Sequence, residues 1–442
     1  MRPKPSGQHG SPNHGTIDCM TAADGSPAQP VRAPASVLGT AAGGPLAVIG
    51  LMLVAANQRT PLAAVPPVLE GISADTGLSA AGVGLLSTLP IVTMGLLAPL
   101  VAPATRRIGT DKGLIAGLLL IALGSLIRLA EPATATLMIG AVLAGAGITT
   151  LGTLLPAVLV RRFPGATGHM TGWTTFALAA GATAAASFTY PLAVALDDWR
   201  AALAFWALPA IVSAVAWLPS TRGRSATAED DQDSPMPIRS PVAWAVVGFA
   251  TAGTICFFSA LAWVAPALNE AGATSEQAGY LLGAMTAANM VGALLGPSLV
   301  GRFGLRRLIL AASMGVSVLG LLGLALLGAS PTDGAPHWLV AAAATSALTG
   351  FGLGAAFGLA LLMLADVAAD AGASRGLSAL TFLVAYLVAA PFPTLLGWLA
   401  DRTGSFTAGW LVCAAVAALA LPLPVRLGAH VDGTVSGQTV PG

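Results

Sequence analysis

Arg59 sits in the run Ala55-Ala56-Asn57-Gln58-Arg59-Thr60-Pro61, inside the first long apolar stretch of the chain. It lies about fourteen residues into that stretch, roughly 20 Å of helix, too deep for its side chain to reach an interface with ease. Among the Asp, Glu, Lys and Arg residues it alone falls deep within such a stretch. A cation at the bilayer centre costs about 2.5 kcal/mol or more, and persists only where it faces a wet cavity or a partner. No carboxylate shares that depth in the sequence. The expected counterpart is therefore a bound solute that is anionic or accepts hydrogen bonds strongly. Carbonyls of a neighbouring helix are the structural alternative.

The surrounding backbone supports a site. Pro61 has no N–H for the carbonyl of Asn57, and Pro66 and Pro67 free the carbonyls of Leu62 and Ala63. A membrane helix tolerates such gaps where neighbours, water or a ligand satisfy them. The matching place later in the chain is Phe257-Phe258-Ser259. A charged wall opposite a flat apolar one suits a small planar anion or a polar heteroaromatic, because guanidinium grips oxyanions and stacks on rings. Apolar packing is the plainer role for either Phe alone. Candidate contacts are thus Arg59, Asn57, Phe257 and Phe258, together with Trp173 and Asn289 at span depth. An amide such as that of Asn289 is costly in hydrocarbon unless hydrogen-bonded, so it either joins helices or meets a ligand. Most span-depth Thr hydroxyls are expected to bond back to their own helix.

These residues need a membrane scaffold to place them. Hydrophobic residues make up 55% of 442 positions and charged ones 9%, with a mean hydropathy of +0.79. Soluble domains carry about 25% charge. Windows of roughly 20 apolar residues, the length that crosses a bilayer, give twelve spans. They lie near 46–69, 80–103, 112–130, 134–159, 168–191, 200–218, 242–268, 275–300, 306–328, 337–364, 375–399 and 406–426. Of 20 Lys and Arg, 16 fall in the two tails or in even-numbered loops. Basic loops mark the cytoplasmic side, which places both termini in the cytoplasm. Trp199, Trp217, Trp244, Trp338 and Trp410 lie near span ends and read as interface anchors. Residues 1–44 and 428–442 read as disordered cytoplasmic tails.

The polar stretch 219–241, with Glu229-Asp230-Asp231, reads as a flexible cytoplasmic linker between a bundle at 45–218 and another at 242–427. The two halves echo each other. Arg106-Arg107-Ile108-Gly109 corresponds to Gly301-Arg302-Phe303-Gly304, 195 residues on, and Gly84-Leu85-Leu86 to Gly279-Tyr280-Leu281 at the same offset. Pro67-Val68-Leu69-Glu70 resembles Pro266-Ala267-Leu268-Asn269. A duplicated six-helix unit with its ligand between the copies is a secondary-transporter pattern. Arg107, Gly109, Arg302 and Gly304 are the candidate gating residues of the basic loops. Gly113/Gly117, Gly168/Gly172, Gly292/Gly296, Gly350/Gly354 and Gly354/Gly358 have the spacing that lets helices pack closely.

Over roughly 45–428 the chain resembles the major facilitator superfamily, and within it the cyanate and nitroimidazole permeases. The resemblance rests on Asn57-Gln58-Arg59-Thr60-Pro61, Leu86-Ser87-Thr88-Leu89-Pro90, Leu154-Leu155-Pro156, Arg161-Arg162-Phe163-Pro164-Gly165 and Trp199-Arg200-Ala201-Ala202-Leu203. Trp263-Val264-Ala265-Pro266 and Leu377-Ser378-Ala379 with Tyr386 extend it, and it is the resemblance that adds Trp263 and Tyr386 to the candidates. It implies an all-α membrane protein of twelve helices in two pseudo-symmetric six-helix bundles. It implies alternating-access transport of a cyanate-like anion or nitroimidazole-like heterocycle in a bacterial-type cytoplasmic membrane. The chain departs from the pattern at Arg106 and Gly301, where the superfamily's loop usually has Asp. It departs again at Gly152 or Thr153, where an Asn is common, and at Phe382, where a Gln is common.

Other chemistry finds no support. The chain has no G-x-x-x-x-G-K-[ST] loop. Gly372-Ala373-Ser374-Arg375-Gly376 matches a nucleophile elbow only formally, lacking the strand that such a turn follows. Cys19, Cys256 and Cys413 are far apart and His residues sit in tails or near span ends, so no metal, cofactor or disulfide framework is expected. A small solute and the lipid bilayer are the expected partners, with no nucleic acid, and the chain is expected to act as a monomer. Competing readings are a drug or metabolite efflux pump and a transporter-shaped sensor. The short linker and C-terminal tail argue against the sensor.

Overall fold

The computed structural model describes residues 44–423 apart from 107, 132, 164–166, 222–237, 330–335 and 368–370. The expected tails, but for Gly44, and most of the expected linker therefore lie outside the described residues, as does Arg107.

The first span is not one helix. It is built from α1 (Gly44–Ala56), α2 (Thr60–Ala63), a 3-10 turn over Pro66–Val68 and α3 (Leu69–Thr76). The breaks fall where prolines deny the ladder a donor. Then follow α4 (Ala80–Arg106), α5 (Thr110–Leu126), α6 (Ala133–Arg162) and α7 (Thr167–Leu196). The sixth span is α8 (Trp199–Phe205) and α9 (Ala207–Trp217). The second half has α10 (Pro241–Glu270), α11 (Ser275–Phe303), α12 (Arg306–Ala329) and α13 (Pro336–Asp366). Its eleventh span divides at Pro391 into α14 (Ala371–Ala389) and α15 (Pro391–Thr403), and α16 (Thr407–Leu419) completes the chain of helices. The run Gly372–Gly376 lies inside α14, not on a strand-to-helix turn.

Local chemistry sets several starts. Ser240 Oγ accepts from Ala243 N (3.2 Å) with Pro241 in the first turn of α10, and Thr274 and Gln277 form a reciprocal capping box on α11. Gly109 (φ +87°) and Gly304 (φ +66°), 195 residues apart, turn the chain at equivalent places after the second and eighth spans. Both take a positive φ, which suits glycine, but their ψ angles of 149° and 0° differ, so the echo is one of sequence and position rather than of backbone shape.

Among the described residues, eleven spans are long and apolar enough to cross a bilayer, and Thr407–Leu419 is a shorter apolar helix. Among the described residues the architecture is all-helical. One helix seam shows how closely the backbones approach. A Cβ on Gly292 would meet the Phe351 carbonyl and Ala355 N, one on Gly350 the Met285 carbonyl, and one on Gly354 the Asn289 carbonyl. In lipid such close approach replaces the hydrophobic drive between helices. Gly172 is different, with nothing within 4 Å of the position of a Cβ.

The tryptophans correct one expectation. Trp217 and Trp410 are among the largest fully buried side chains, and Trp199 and Trp338 are buried too. Trp199 Nε1 donates to Asp75 (2.8 Å). Only Trp244 of the five is exposed. Position near a span end does not reveal whether a residue faces lipid or a neighbouring helix.

The face opposite the basic loops is where the halves meet. Asp401, at the end of α15, accepts from Ala80 N (3.0 Å) and Ala81 N (2.9 Å), the open first turn of α4. Thr88 donates to the Ala390 carbonyl (2.7 Å) and pairs with Thr394 (2.8 Å), while Thr183 pairs with Thr286 (2.9 Å). Ser275 donates to Glu70 (3.1 Å). Gly84 faces the Pro393 carbonyl, 2.8 Å from where its Cβ would be. Most Thr hydroxyls do bond back to their own helix, as Thr60, Thr93, Thr149 and Thr189 do. Thr88 is an exception that joins the halves.

Gly354→Leu is expected to destabilise the purified protein by at least about 1–3 kcal/mol, since an overpacked seam must open. Gly172→Ala is expected to be neutral or slightly stabilising. Thermal melting in detergent compares the two; equal losses would refute the close-seam account.

Candidate functional site

The break after α1 aims two polar side chains in different directions. Gln58 N donates to the Ala55 carbonyl (3.1 Å), closing a tight turn, and Leu62 N and Ala63 N donate to the Arg59 carbonyl (3.2 and 3.0 Å). Thr60 Oγ1 donates to the Ala56 carbonyl (2.8 Å). Gly181 of α7 has no side chain to obstruct that same carbonyl. Asn57 Nδ2 donates to Leu53 O (2.8 Å) and Ser213 Oγ (2.9 Å), tying the turn to α9. Asn57 is thus buried within the first half.

Arg59 points the other way, into the second half. Its guanidinium carbon lies 4.3 Å from the ring centre of Phe257 on α10 and 5.7 Å from that of Phe357 on α13. Such contacts contribute about 0.5–1 kcal/mol when exposed and about 2 when desolvated. Among the described residues the guanidinium has no ion pair with Asp or Glu and no hydrogen-bond partner. Arg59 lines a cavity whose space, counting the mouth, is about 640 Å³.

Arg59 is the sole residue of the first half in the described lining of that cavity. The remainder comes from α10, α11, α13 and α14. Six aromatic rings line it: Phe249, Phe257, Phe258, Phe357, Phe382 and Tyr386. Phe257 and Phe258 meet edge-on at 5.4 Å, Phe258 and Tyr386 at 6.2 Å, and Phe382 stacks on Tyr386 at 5.9 Å. The other polar side chains are Thr254, Asn289 and Thr381; no Asp, Glu, His or Lys is in the lining. Asn289 Nδ2 makes a long bond to Gly350 O (3.3 Å), and the buried Thr381 hydroxyl has no partner. The lining extends from Phe257 and Asn289 to Phe249 and Leu364, towards the face of the basic loops.

The structure therefore brings together Arg59, Phe257, Phe258, Asn289 and Tyr386. It does not bring Asn57, Trp173 or Trp263 to them. Asn57 precedes Arg59 by two residues in a tight turn and faces α9. Trp173, on α7, is 57% exposed and packs edge-on against Phe176 (6.0 Å). Trp263 follows Phe257 by six residues, about 9 Å along α10 and a third of a turn round. Its Nε1 donates to Pro393 O (2.8 Å) and its ring rests on Phe406 (4.9 Å). Phe357 and Phe249 escaped the sequence reading, because nothing distinguishes a cavity-lining Phe from any other in an apolar helix. Phe382 carried a signal as a departure from the family pattern, and its ring now extends the aromatic wall.

The basic loops hold a second charged cluster. Asp111, buried in the first turn of α5, accepts from Arg162 (2.7 Å) and Arg161 (3.1 Å) at the end of α6. Arg162 also lies 4.7 Å over the Trp217 ring. In the second half Arg306 opens α12 and pairs with Asp366 at the end of α13. Arg306 follows Asp111 by 195 residues, so the halves carry one ion pair with opposite polarity. Arg302 lies over the neighbouring Phe303 ring (5.6 Å).

The sequence pattern of the Major Facilitator Superfamily matches residues 47–382. The chain belongs to that superfamily. It is 30% identical over 364 residues to the cyanate transport protein CynX of Escherichia coli (strain K12), covering 81% of this chain and 91% of that one. It is 29% identical over 363 residues to the 2-nitroimidazole transporter of the same organism, covering 81% and 89%. A solved bacterial homologue of the human lysosomal transporter Spinster has the same fold. It superposes with a TM-score of 0.68 at 13% identity, over 87% of this chain and 96% of that one. The chain is thus a multi-pass membrane transporter of the major facilitator fold, and its broken first span, pointing a single Arg into the other half, lies within the matched region.

Asp111→Asn is expected to lower stability by about 2–3 kcal/mol, because removing one member of a buried pair strands the other charge. The Arg162–Asp111 side chains are 2% and 8% exposed, so solvent offers little relief. A melting curve indistinguishable from that of the parent would overturn this assignment.

Proposed function

We propose that this transporter carries a small planar solute, anionic or strongly polar, through the cavity around Arg59 by alternating access between the two halves. One observation carries the reading: a guanidinium of the first half, without a protein counter-ion among the described residues, facing an aromatic wall of the second. Arg59 grips the solute's acceptor atoms, Phe257, Phe258 and Tyr386 cover its ring or face, and Asn289 supplies an amide. Asn57 and Trp263 act indirectly, by holding the helices that carry these groups, whereas Trp173 stands exposed away from the cavity. The cargoes in the names of the two E. coli relatives, cyanate and 2-nitroimidazole, agree with this class.

In this proposal the basic-loop face is cytoplasmic, since 16 of 20 Lys and Arg belong to that side or the tails. The tails at 1–44 and 428–442 and the linker at 219–241 then lie in the cytoplasm of a bacterial-type cell membrane. Loop residues Arg107, Gly109, Arg302 and Gly304 govern closure on that side. The cavity extends towards that face while the halves touch on the opposite one, as expected of a state open to the cytoplasm. For the other state to form, the Asp401 bonds to α4 and the Thr88 bonds to α15 must break.

Two measurements test this. In proteoliposomes Arg59→Gln is expected to reduce counterflow of cyanate or 2-nitroimidazole at least about a hundredfold, the loss when a charged hydrogen-bonding partner worth about 3 kcal/mol is removed. Undiminished flux by a well-folded variant would exclude Arg59 from the pathway. Asp401→Ala is expected to increase labelling of Ser275→Cys by an impermeant maleimide added outside, because the outer contacts open more often. Unchanged or reduced labelling would refute Asp401 as a contact that favours closure.

A further inference from the structure

We infer that the preferred cargo is an aromatic monoanion, a single planar ring bearing one carboxylate or comparable oxyanion. This inference rests on the assignment of the Arg59 cavity as the transport site and narrows its cargo.

The charge follows from the lining. Arg59 is the one ionic side chain described there, and neither a second cation nor a carboxylate accompanies it. A monoanion neutralises that charge, whereas a dianion leaves one negative charge in a low-dielectric site and a neutral solute leaves the guanidinium uncompensated. The geometry of the guanidinium points the same way. The guanidinium carbon stands 4.3 Å from the Phe257 ring centre and 5.7 Å from that of Phe357, and its planar fork of N–H groups, without a partner among the described residues, matches an oxyanion with two parallel hydrogen bonds.

The aromatic part follows from the walls. A ring anchored by its oxyanion at Arg59 falls among Phe258, Phe357 and Tyr386. A three-atom inorganic anion could pair with Arg59 but would leave these rings uncovered. It would surrender its hydration with no apolar contact in return. Thr254, Asn289 and the unpartnered Thr381 hydroxyl add hydrogen-bonding capacity for a second substituent.

The test uses the full-length protein in proteoliposomes, with counterflow measured for benzoate, benzamide, terephthalate, cyclohexanecarboxylate, cyanate and 2-nitroimidazole. Benzoate is expected to exchange roughly tenfold faster than each of the others at equal concentration, the factor conferred by about 1.4 kcal/mol of extra binding. Phe357→Leu is expected to shrink the preference for benzoate over cyclohexanecarboxylate by about threefold. Benzamide or terephthalate matching benzoate would overturn the charge argument, and cyclohexanecarboxylate matching it would overturn the aromatic one. If cyanate or 2-nitroimidazole exchanges and benzoate does not, this inference fails while the transport site at Arg59 stands. If none of the six exchanges through protein that melts like the parent, both fail.

Discussion

A cation placed inside a hydrocarbon layer must be solvated by something other than water at large, and the central arrangement of this molecule answers that demand. The Arg59 guanidinium rests on the Phe257 ring and lines a cavity that holds no acid among the described residues. The arrangement requires a broken helix to aim the side chain, and partners on α7 and α9 to hold the break. It also requires an aromatic wall on the other half to receive the charge. Each follows from burying one charge without a fixed counter-ion.

The same residue ties the first half to the second. The turn at Asn57–Arg59 belongs to the first half through the Asn57–Ser213 bond, yet its charge lies among rings of the second. A ligand bridging Arg59 and those rings would feel any displacement between the halves. Helix seams such as α11 against α13, where backbone meets backbone at glycines, hold the helices of a half closely together. On the closed face the halves meet through close backbone packing, as where Gly84 faces Pro393 and Gly397 faces Ala80, and through a few hydrogen bonds, most of them to hydroxyls or to one carboxylate cap. Bonds of that kind exchange readily for water, at a net cost of about 1 kcal/mol each.

The ion pairs at the basic loops show duplication with a twist. Asp111 with Arg161 and Arg162, and Arg306 with Asp366, occupy equivalent places with reversed signs. Two identical halves related by a two-fold axis would set like charges facing each other. The reversed order places an acid opposite a base at this one position, with each pair satisfied inside its own half and both loops remaining basic.

Much of this was legible in the amino-acid order alone. Span number, the six-and-six division, the offset of 195 residues and the singular position of Arg59 all follow from hydropathy, glycine and proline placement, and charge. Those properties act locally: a bilayer demands about 20 apolar residues per helix, and proline breaks a ladder wherever it stands. The direction of each side chain around its helix was decided only by tertiary packing. Asn57 turned to α9 and Trp263 to Pro393, while Phe357 and Phe249 joined the cavity and four of five span-end tryptophans went inside. Membrane helices are apolar on every side, so their periodicity does not say which face meets lipid, which a neighbour and which a ligand. That choice is made by the shape of the neighbouring helices, and it exists only once they have packed.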